Sequence, residues 1–317
     1  MPNTLCHIAA QLPVSRLFAP AADVRLVLIA CVIPDIPWII RRVLAAAPFI
    51  DGYQVQGYAI GQSAFFCCCF LALAIALLAE RVLFSFLLIA GNCLAHLLLD
   101  ACQIKWANGV HILAPFSWRP WRFDFSWPDH LLWFILSGLG LAVLLWAWRD
   151  SLRKPWPFLV FGRGPRFFLA AFCLILYIVA PLAFLGPIAR EDNGFLATLH
   201  EQSARPGKYV EFDRKPFAPD LNHRGQAGFL TLFGGERLRL RGVVPEDATL
   251  LSARGRFIDR HTVAVLAPRR QSAFRDLASM VALALVALLF IHSFVHSLSR
   301  RKQPDSGAPE TSSRRTV

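Results

Sequence analysis

Five stretches of this chain, about residues 63–79, 82–100, 131–148, 167–188 and 277–297, are apolar nearly from end to end. Each is close to the roughly 20 residues that an α-helix needs to cross bilayer hydrocarbon. With 56% of its 317 residues hydrophobic and 17% charged, the chain carries more apolar surface than a soluble fold would bury. Two shorter apolar segments, about 4–18 and 24–40, read as a helical hairpin turned at Pro20 and Asp23, the second of them interrupted by Pro34 and Pro37. The expected fold is an α-helical polytopic membrane protein of about 6–7 membrane helices. The amino-terminal stretch has neither a basic start nor a small-residue cleavage pattern, so it is expected to stay in the mature protein.

Lysine and arginine in the short loops suggest an orientation. The segment between 148 and 167 holds Arg149, Arg153, Lys154, Arg163 and Arg166 against Asp150, which predicts a cytoplasmic loop. Alternation then brings Arg16, Arg25, Arg81 and the Arg300–Arg301–Lys302 run to the same side. Arg41 and Arg42 disagree, since they fall outside. In this scheme His7, Asp35, His96, Asp100 and the loop through His111 and Asp129 gather at the outer, periplasm-like end of a multi-pass protein.

The formal net charge of +12 does not predict a nucleic-acid partner. Much of the excess sits in loops and tail, where it sets topology and meets anionic lipid headgroups, and no basic helix interleaved with aromatics stands in a soluble setting. The bilayer is the expected partner. The eight cysteines form no CxxC pair, and Cys31, Cys67, Cys68, Cys69, Cys93 and Cys173 lie in apolar runs as small packing residues.

Between 189 and 275 the chain turns polar and alternating. KYVEFD, ERLRLRGVV and GRFIDRHTVAVLAP are strand patterns, with turns at Gly234–Gly235 and Asp259–His261. They predict a small inserted all-β, barrel-like extracytoplasmic domain of about five strands, of a size that suits an oligonucleotide- and oligosaccharide-binding barrel. Arg237, Arg239 and Arg241 alternate with Leu238 and Leu240, giving one basic face. It reads either as a solvated sheet face or as a surface for lipid phosphate or an acidic glycan. Residues 299–317 are disordered by composition. The expected organisation is a membrane-embedded domain over 1–150, a basic cytoplasmic loop and membrane helix over 151–188, the β domain over 189–275, a last membrane helix over 276–298, and the tail.

The chemistry concentrates in CLAHLLLDACQIKWANGVHILAPFSW. His96 and Asp100 stand one helical turn apart near the end of an apolar run, where ionisable groups are costly and mark function by default. Imidazole and carboxylate at i, i+4 suit one divalent cation, zinc first and manganese second; the plainer reading is a His–Asp hydrogen bond joining two helices. In an antiparallel hairpin His7 and Asp35 come to similar depth. Trp106, Trp118 and Trp121 then either cap the cavity or form an interfacial aromatic belt. His292 and His296 repeat the i, i+4 spacing at the other end, without an acid until Asp305, and read as interfacial.

TLCHIA, VIPDIPW, HLLLDACQIKWANGVHILAPFSW and WPDHLLW, in that order over about the first 150 residues, resemble the inner-membrane family of membrane-bound metal-dependent hydrolases of the YdjM-like type. The resemblance implies a multi-helix membrane domain with a metal site on His7, Asp35, His96 and Asp100, Asp35 and Asp100 being also the catalytic candidates, and Asp129 as a further acid. One departure stands out. Where the family carries a His-Arg-Gly-x-Thr-His-Ser-like motif this chain reads GYAIGQSAFF, with Gln62 before Ser63 and no histidine. Gln62 is a poor ligand and cannot accept a proton near neutrality. His111 is a substitute from the loop. Two functions follow: a metal-dependent hydrolase of a lipid or lipid-linked ester or phosphoester, or a non-catalytic envelope protein with a degenerate metal site that binds or assembles through its β domain.

Overall fold

The computed structural model describes residues 3–44, 51–153 and 164–301. Helices α1 (Thr4–Phe18) and α2 (Val24–Val32) form the expected hairpin, each started by a side chain that caps it: Asn3 accepts from the Cys6 N–H and Asp23 from the Arg25 N–H. A 3₁₀ turn over Ile33–Asp35 separates α2 from α3 (Ile36–Leu44). Prolines cause the break. Pro34 and Pro37 have no N–H to continue the ladder, which leaves carbonyls of α2 open to other donors.

Then follow α4 (Gly52–Gln62), α5 (Phe65–Leu77), α6 (Val82–Ala101), α7 (Leu131–Arg153), α8 (Pro165–Ala183), α9 (Leu185–Arg190) and α10 (Leu196–His200). After the strands comes α11 (Phe274–Arg301). Among the described residues four helices, within α6, α7, α8 and α11, are long and apolar enough to cross a membrane, and α4 with α5, bent by 65°, passes as a fifth span. That is fewer than the six or seven expected. The difference lies in the hairpin: α1 has 15 residues and α2 only 9 before the proline-driven turn, so neither alone has the length of a span. The candidate basic loop between α7 and α8 and the tail lie mostly outside the described residues.

Helix α1 packs on α7, α2 on α6, and α5 on both α6 and α8. One apolar cluster joins α1, α2, α7 and α11 through Ile8, Leu12, Leu28, Leu144 and Leu289. A second joins α2, α5 and α6 through Ala30, Cys68, Ile89 and Cys93. All eight cysteines are free thiols.

Strands β1 (Tyr209–Pro219), β2 (Ala227–Thr231), β3 (Arg237–Arg241), β4 (Leu250–Phe257) and β5 (Thr262–Arg270) close into a barrel in the order β1-β2-β3-β5-β4. Neighbours are antiparallel except β3 and β5, which run parallel. Alternation explains the core. Leu238 and Leu240 point inward with Phe212, Leu230 and Leu251, each worth roughly 1.5–3 kcal/mol of burial, while Arg237 and Arg241 stay outside. The basic face is partly self-satisfied: Arg237 lies over Phe229 and Arg239 pairs with Asp220 at 3.2 Å.

The barrel rests on the loop between α6 and α7. Glu211 of β1 accepts from the Ala107 N–H at 2.7 Å and pairs with Arg122, and Arg269 of β5 pairs with Asp129 at 2.8 Å. At the opposite end of the bundle Arg16 pairs with Asp150. Arg42 is held at the barrel end by Asp276 of α11, 2.8 Å away. That partnership gives Arg42 a structural reason to sit where a loop-charge count would not put it.

Candidate metal centre

Three elements deliver the site. The second turn of α1 carries His7, the proline-bounded 3₁₀ turn carries Asp35, and α6 carries His96 and Asp100 on one face. His7, His96 and Asp100 bring ligand atoms within 4.8 Å of one another, the only such group of three among the described residues. All three are buried. The two imidazoles lie parallel with centroids 3.6 Å apart, and both Nε2 atoms face carboxylates.

The distances decide what the arrangement is. His7 Nε2 stands 3.5 Å from Asp100 Oδ1, and His96 Nε2 stands 3.9 Å from Asp100 Oδ2 and 3.7 Å from Asp35 Oδ1. These are long for hydrogen bonds, and His7 Nε2, His96 Nε2 and Asp100 Oδ1 are buried without a hydrogen-bond partner. Ligands held at about 2.0–2.1 Å around a tetrahedral zinc stand roughly 3.4 Å apart, so the gaps resemble edges of a coordination shell.

The second layer fits the same purpose. His96 Nδ1 lies 2.9 Å from the Cys31 carbonyl. A carbonyl only accepts, so Nδ1 carries a proton and Nε2 is the ring nitrogen aimed at the site. The interrupted α2 provides that carbonyl, and its neighbour Ala30 accepts from Cys93 Sγ at 3.8 Å. His7 Nδ1 lies 3.4 Å from Gln11 Nε2, whose Oε1 accepts from Cys31 Sγ at 3.2 Å. With the Gln11 amide in this orientation His7 Nε2 keeps its proton toward Asp100; turned over, the amide accepts from Nδ1 and makes Nε2 a ligand. Gln11 therefore sets the tautomer. Its spacing of four from His7 is a signal the sequence reading passed over.

Lys105 was missed as well. It is buried, with Nζ 3.4 Å from Asp100 Oδ1, and competes with a cation for that carboxylate. A lysine five residues beyond Asp100, just past an apolar run, was the available sign.

The remaining candidates lie elsewhere. Gln62 donates to the Tyr58 hydroxyl at 3.1 Å and the Tyr177 carbonyl at 3.4 Å. Asp129, on the surface, holds Arg269. His111 bonds Asn193 Oδ1 through Nε2 at 3.2 Å, and Asn193 in turn donates to the Trp118 carbonyl. None of these joins the group of three. Trp106 and Trp118 are buried, Trp106 beneath Arg254 and Trp118 beside His111, whereas Trp121 is exposed. His292 accepts from Trp148 Nε1 at 3.0 Å.

His111 gives a pH prediction. Burial pushes its imidazole from 6.5 down to about 4, against the opposing pull of the Asn193 bond. The unfolded chain then binds a proton near pH 6.5 that the folded chain refuses until about pH 4. Stability is complete above 6.5 and falls as pH drops toward 4, by about 3 kcal/mol from this group. Thermal melts at pH 4.5 and 7.5 should differ less in His111→Gln than in the wild type; an equal difference would assign the acid sensitivity to other groups.

No family model, characterised protein or solved structure matches this chain.

Proposed function

We propose that this chain is a membrane-embedded, metal-dependent hydrolase acting on an ester or phosphoester of a lipid or lipid-linked substrate, with the barrel end at the outer face of an inner membrane. The observation that carries the reading is the convergence of buried ligand atoms from His7, His96 and Asp100 within 4.8 Å of one another, three of which, His7 Nε2, His96 Nε2 and Asp100 Oδ1, make no hydrogen bond. The resemblance of residues 1–150 to the membrane-bound metal-dependent hydrolases points the same way. Zinc suits two imidazoles and a carboxylate, with manganese as second choice.

A divalent cation held there supplies Lewis acidity, lowering the pKa of water and polarising a P–O or C–O bond. The chain's own groups supply the rest. Asp35 is the one acid of the cluster with exposure, 13% against 3% for Asp100, and it lines a small cleft that also reaches Trp38 and Arg42. It is placed to accept a proton from attacking water, while Asp100 serves as ligand. On the far side of Gln11 an apolar groove of about 760 Å³ between α1 and α6, lined by Phe18, Leu87, Leu98 and Phe125, has the size and character for an acyl chain.

The test is turnover. Protein in nanodiscs, loaded with zinc or manganese and given lipid esters and phosphoesters, should release product that chelation abolishes and metal restores, and His96→Ala should release none. A metal-loaded, folded protein that cleaves neither class would favour the second reading, an envelope binding or assembly protein acting through its β domain. The Lys105 ammonium beside Asp100 and the glutamine at position 62 favour that reading.

A further inference from the structure

Between the bundle and the barrel lies a polar cavity of about 340 Å³, walled by the end of α3, the start of α11 and strand β1. Five cationic side chains line it against three carboxylates. The carboxylates are engaged: Glu211 accepts from Tyr209 and the Ala107 N–H and pairs with Arg122, Asp213 accepts from Ser252, and Asp276 is shared by Arg42, Arg214 and Arg275. Two cations are left over. Arg41 and Lys215 have no carboxylate within ion-pair reach among the described residues, and Arg41 Nε is buried without a hydrogen-bond partner. Both sit on the Phe233 ring, Lys215 Nζ at 3.6 Å and the Arg41 guanidinium at 5.8 Å.

The backbone is shaped to bring them there. Strand β1 shifts register between Phe212 and Lys215, and Arg214 adopts φ 48°, a left-handed conformation that strains a non-glycine residue. Such irregularities re-aim side chains, here putting Arg214 and Lys215 on the cavity wall. Two cations side by side repel, and burial together with Arg41 pushes the Lys215 ammonium down to about 7, against the weaker opposing pull of Asp213. An anion would relieve both costs.

We propose that this cavity binds a phosphoryl group, held by Arg41 and Lys215 over Phe233. Arginine gives planar, paired donors to phosphate oxygens and lysine a point charge, the usual division of labour at such sites. The phosphate reaches it as a lipid headgroup or as a free anion. The site stands without the metal reading: its residues are not those of the His7 group, although Trp38, Arg42, Arg275 and Asp276 line both this cavity and the cleft beside Asp35.

Calorimetric titration of the full chain in neutral detergent and EDTA, which keeps any cation at His7, His96 and Asp100 out of the signal, tests it. The probes are inorganic phosphate, dihexanoyl phosphatidic acid and dihexanoylglycerol. Phosphatidic acid should bind at least about tenfold tighter than dihexanoylglycerol, and Lys215→Met or Arg41→Met should weaken phosphate binding about 10–100-fold, the usual loss of a charge-assisted bond. Lys215→Arg should keep most of it, and Lys208→Met, at an exposed lysine of the same barrel, should match the wild type. Phosphatidic acid binding much tighter than inorganic phosphate identifies a headgroup; equal affinities identify a free anion. Folded wild type that binds neither phosphate probe overturns the proposal, as does a folded Arg41→Met, Lys215→Met double variant that binds both normally.

Discussion

Replacing Asp100 by asparagine together with Lys105 by methionine should leave a folded protein that binds zinc more than about a hundredfold more weakly, because loss of a ligand exceeds the roughly 10–100-fold cost of losing an outer partner. The pairing of the two changes matters. Asp100→Asn alone leaves the Lys105 ammonium buried beside an amide 3.4 Å away, and an uncompensated charge of that kind costs about 3–5 kcal/mol, enough to unfold a marginal protein. Lys105→Met alone acts in the opposite direction. It removes the cation competing for Asp100 Oδ1, so zinc should bind more tightly, while a purely structural His–Asp–Lys network would lose stability and gain no affinity. Zinc titration of the three variants, with a melt for each, separates these outcomes.

Gly140→Ala should destabilise the bundle and loosen the metal site from a distance. A Cβ at Gly140 of α7 would stand 2.0 Å from the Leu5 carbonyl oxygen and 2.6 Å from its carbon, and both obstacles are backbone. Helix α1 must therefore move away. Overpacking of this kind costs about 1–3 kcal/mol or more, partly offset by up to about 1 kcal/mol of helix propensity gained on leaving glycine. His7 lies two residues beyond Leu5 on the same helix and is carried with it, so zinc affinity should fall along with the melting temperature. Gly138→Ala is the control. A Cβ there meets nothing within 4 Å, so that variant should be as stable as the wild type or slightly more so. If Gly140→Ala melts and binds zinc like the wild type, close α1–α7 contact does not position His7.

Much of this was legible in the residues because hydrophobic length and period are local. The runs that became α6, α7, α8 and α11 are long and uniform, and KYVEFD, ERLRLR and GRFIDRHTVAVLAP alternate with period two, so helices and strands could be placed. The barrel's closure and its parallel β3–β5 pair depend on long-range pairing that alternation does not encode. The pairing of His96 with Asp100 follows from i, i+4 spacing, and Pro34 and Pro37 marked the break that presents Asp35. Lys105 and Gln11 escaped notice because their roles arise from contacts made after folding. Arg41 and Arg42 conflicted with the loop-charge scheme for the same kind of reason. Arg42 is held by an aspartate 234 residues away, and Arg41 lines the cavity beneath the barrel.

The most direct measurement is the metal content, by mass spectrometry, of protein purified in detergent without chelator and supplied with zinc and manganese, beside His7→Ala and His96→Ala. The account predicts about one equivalent of a divalent metal in the wild type and background in both variants. Folded wild type that holds no stoichiometric metal would contradict it, and His7, His96, Asp100 and Lys105 would then stand as a buried ion network that joins α1 to α6.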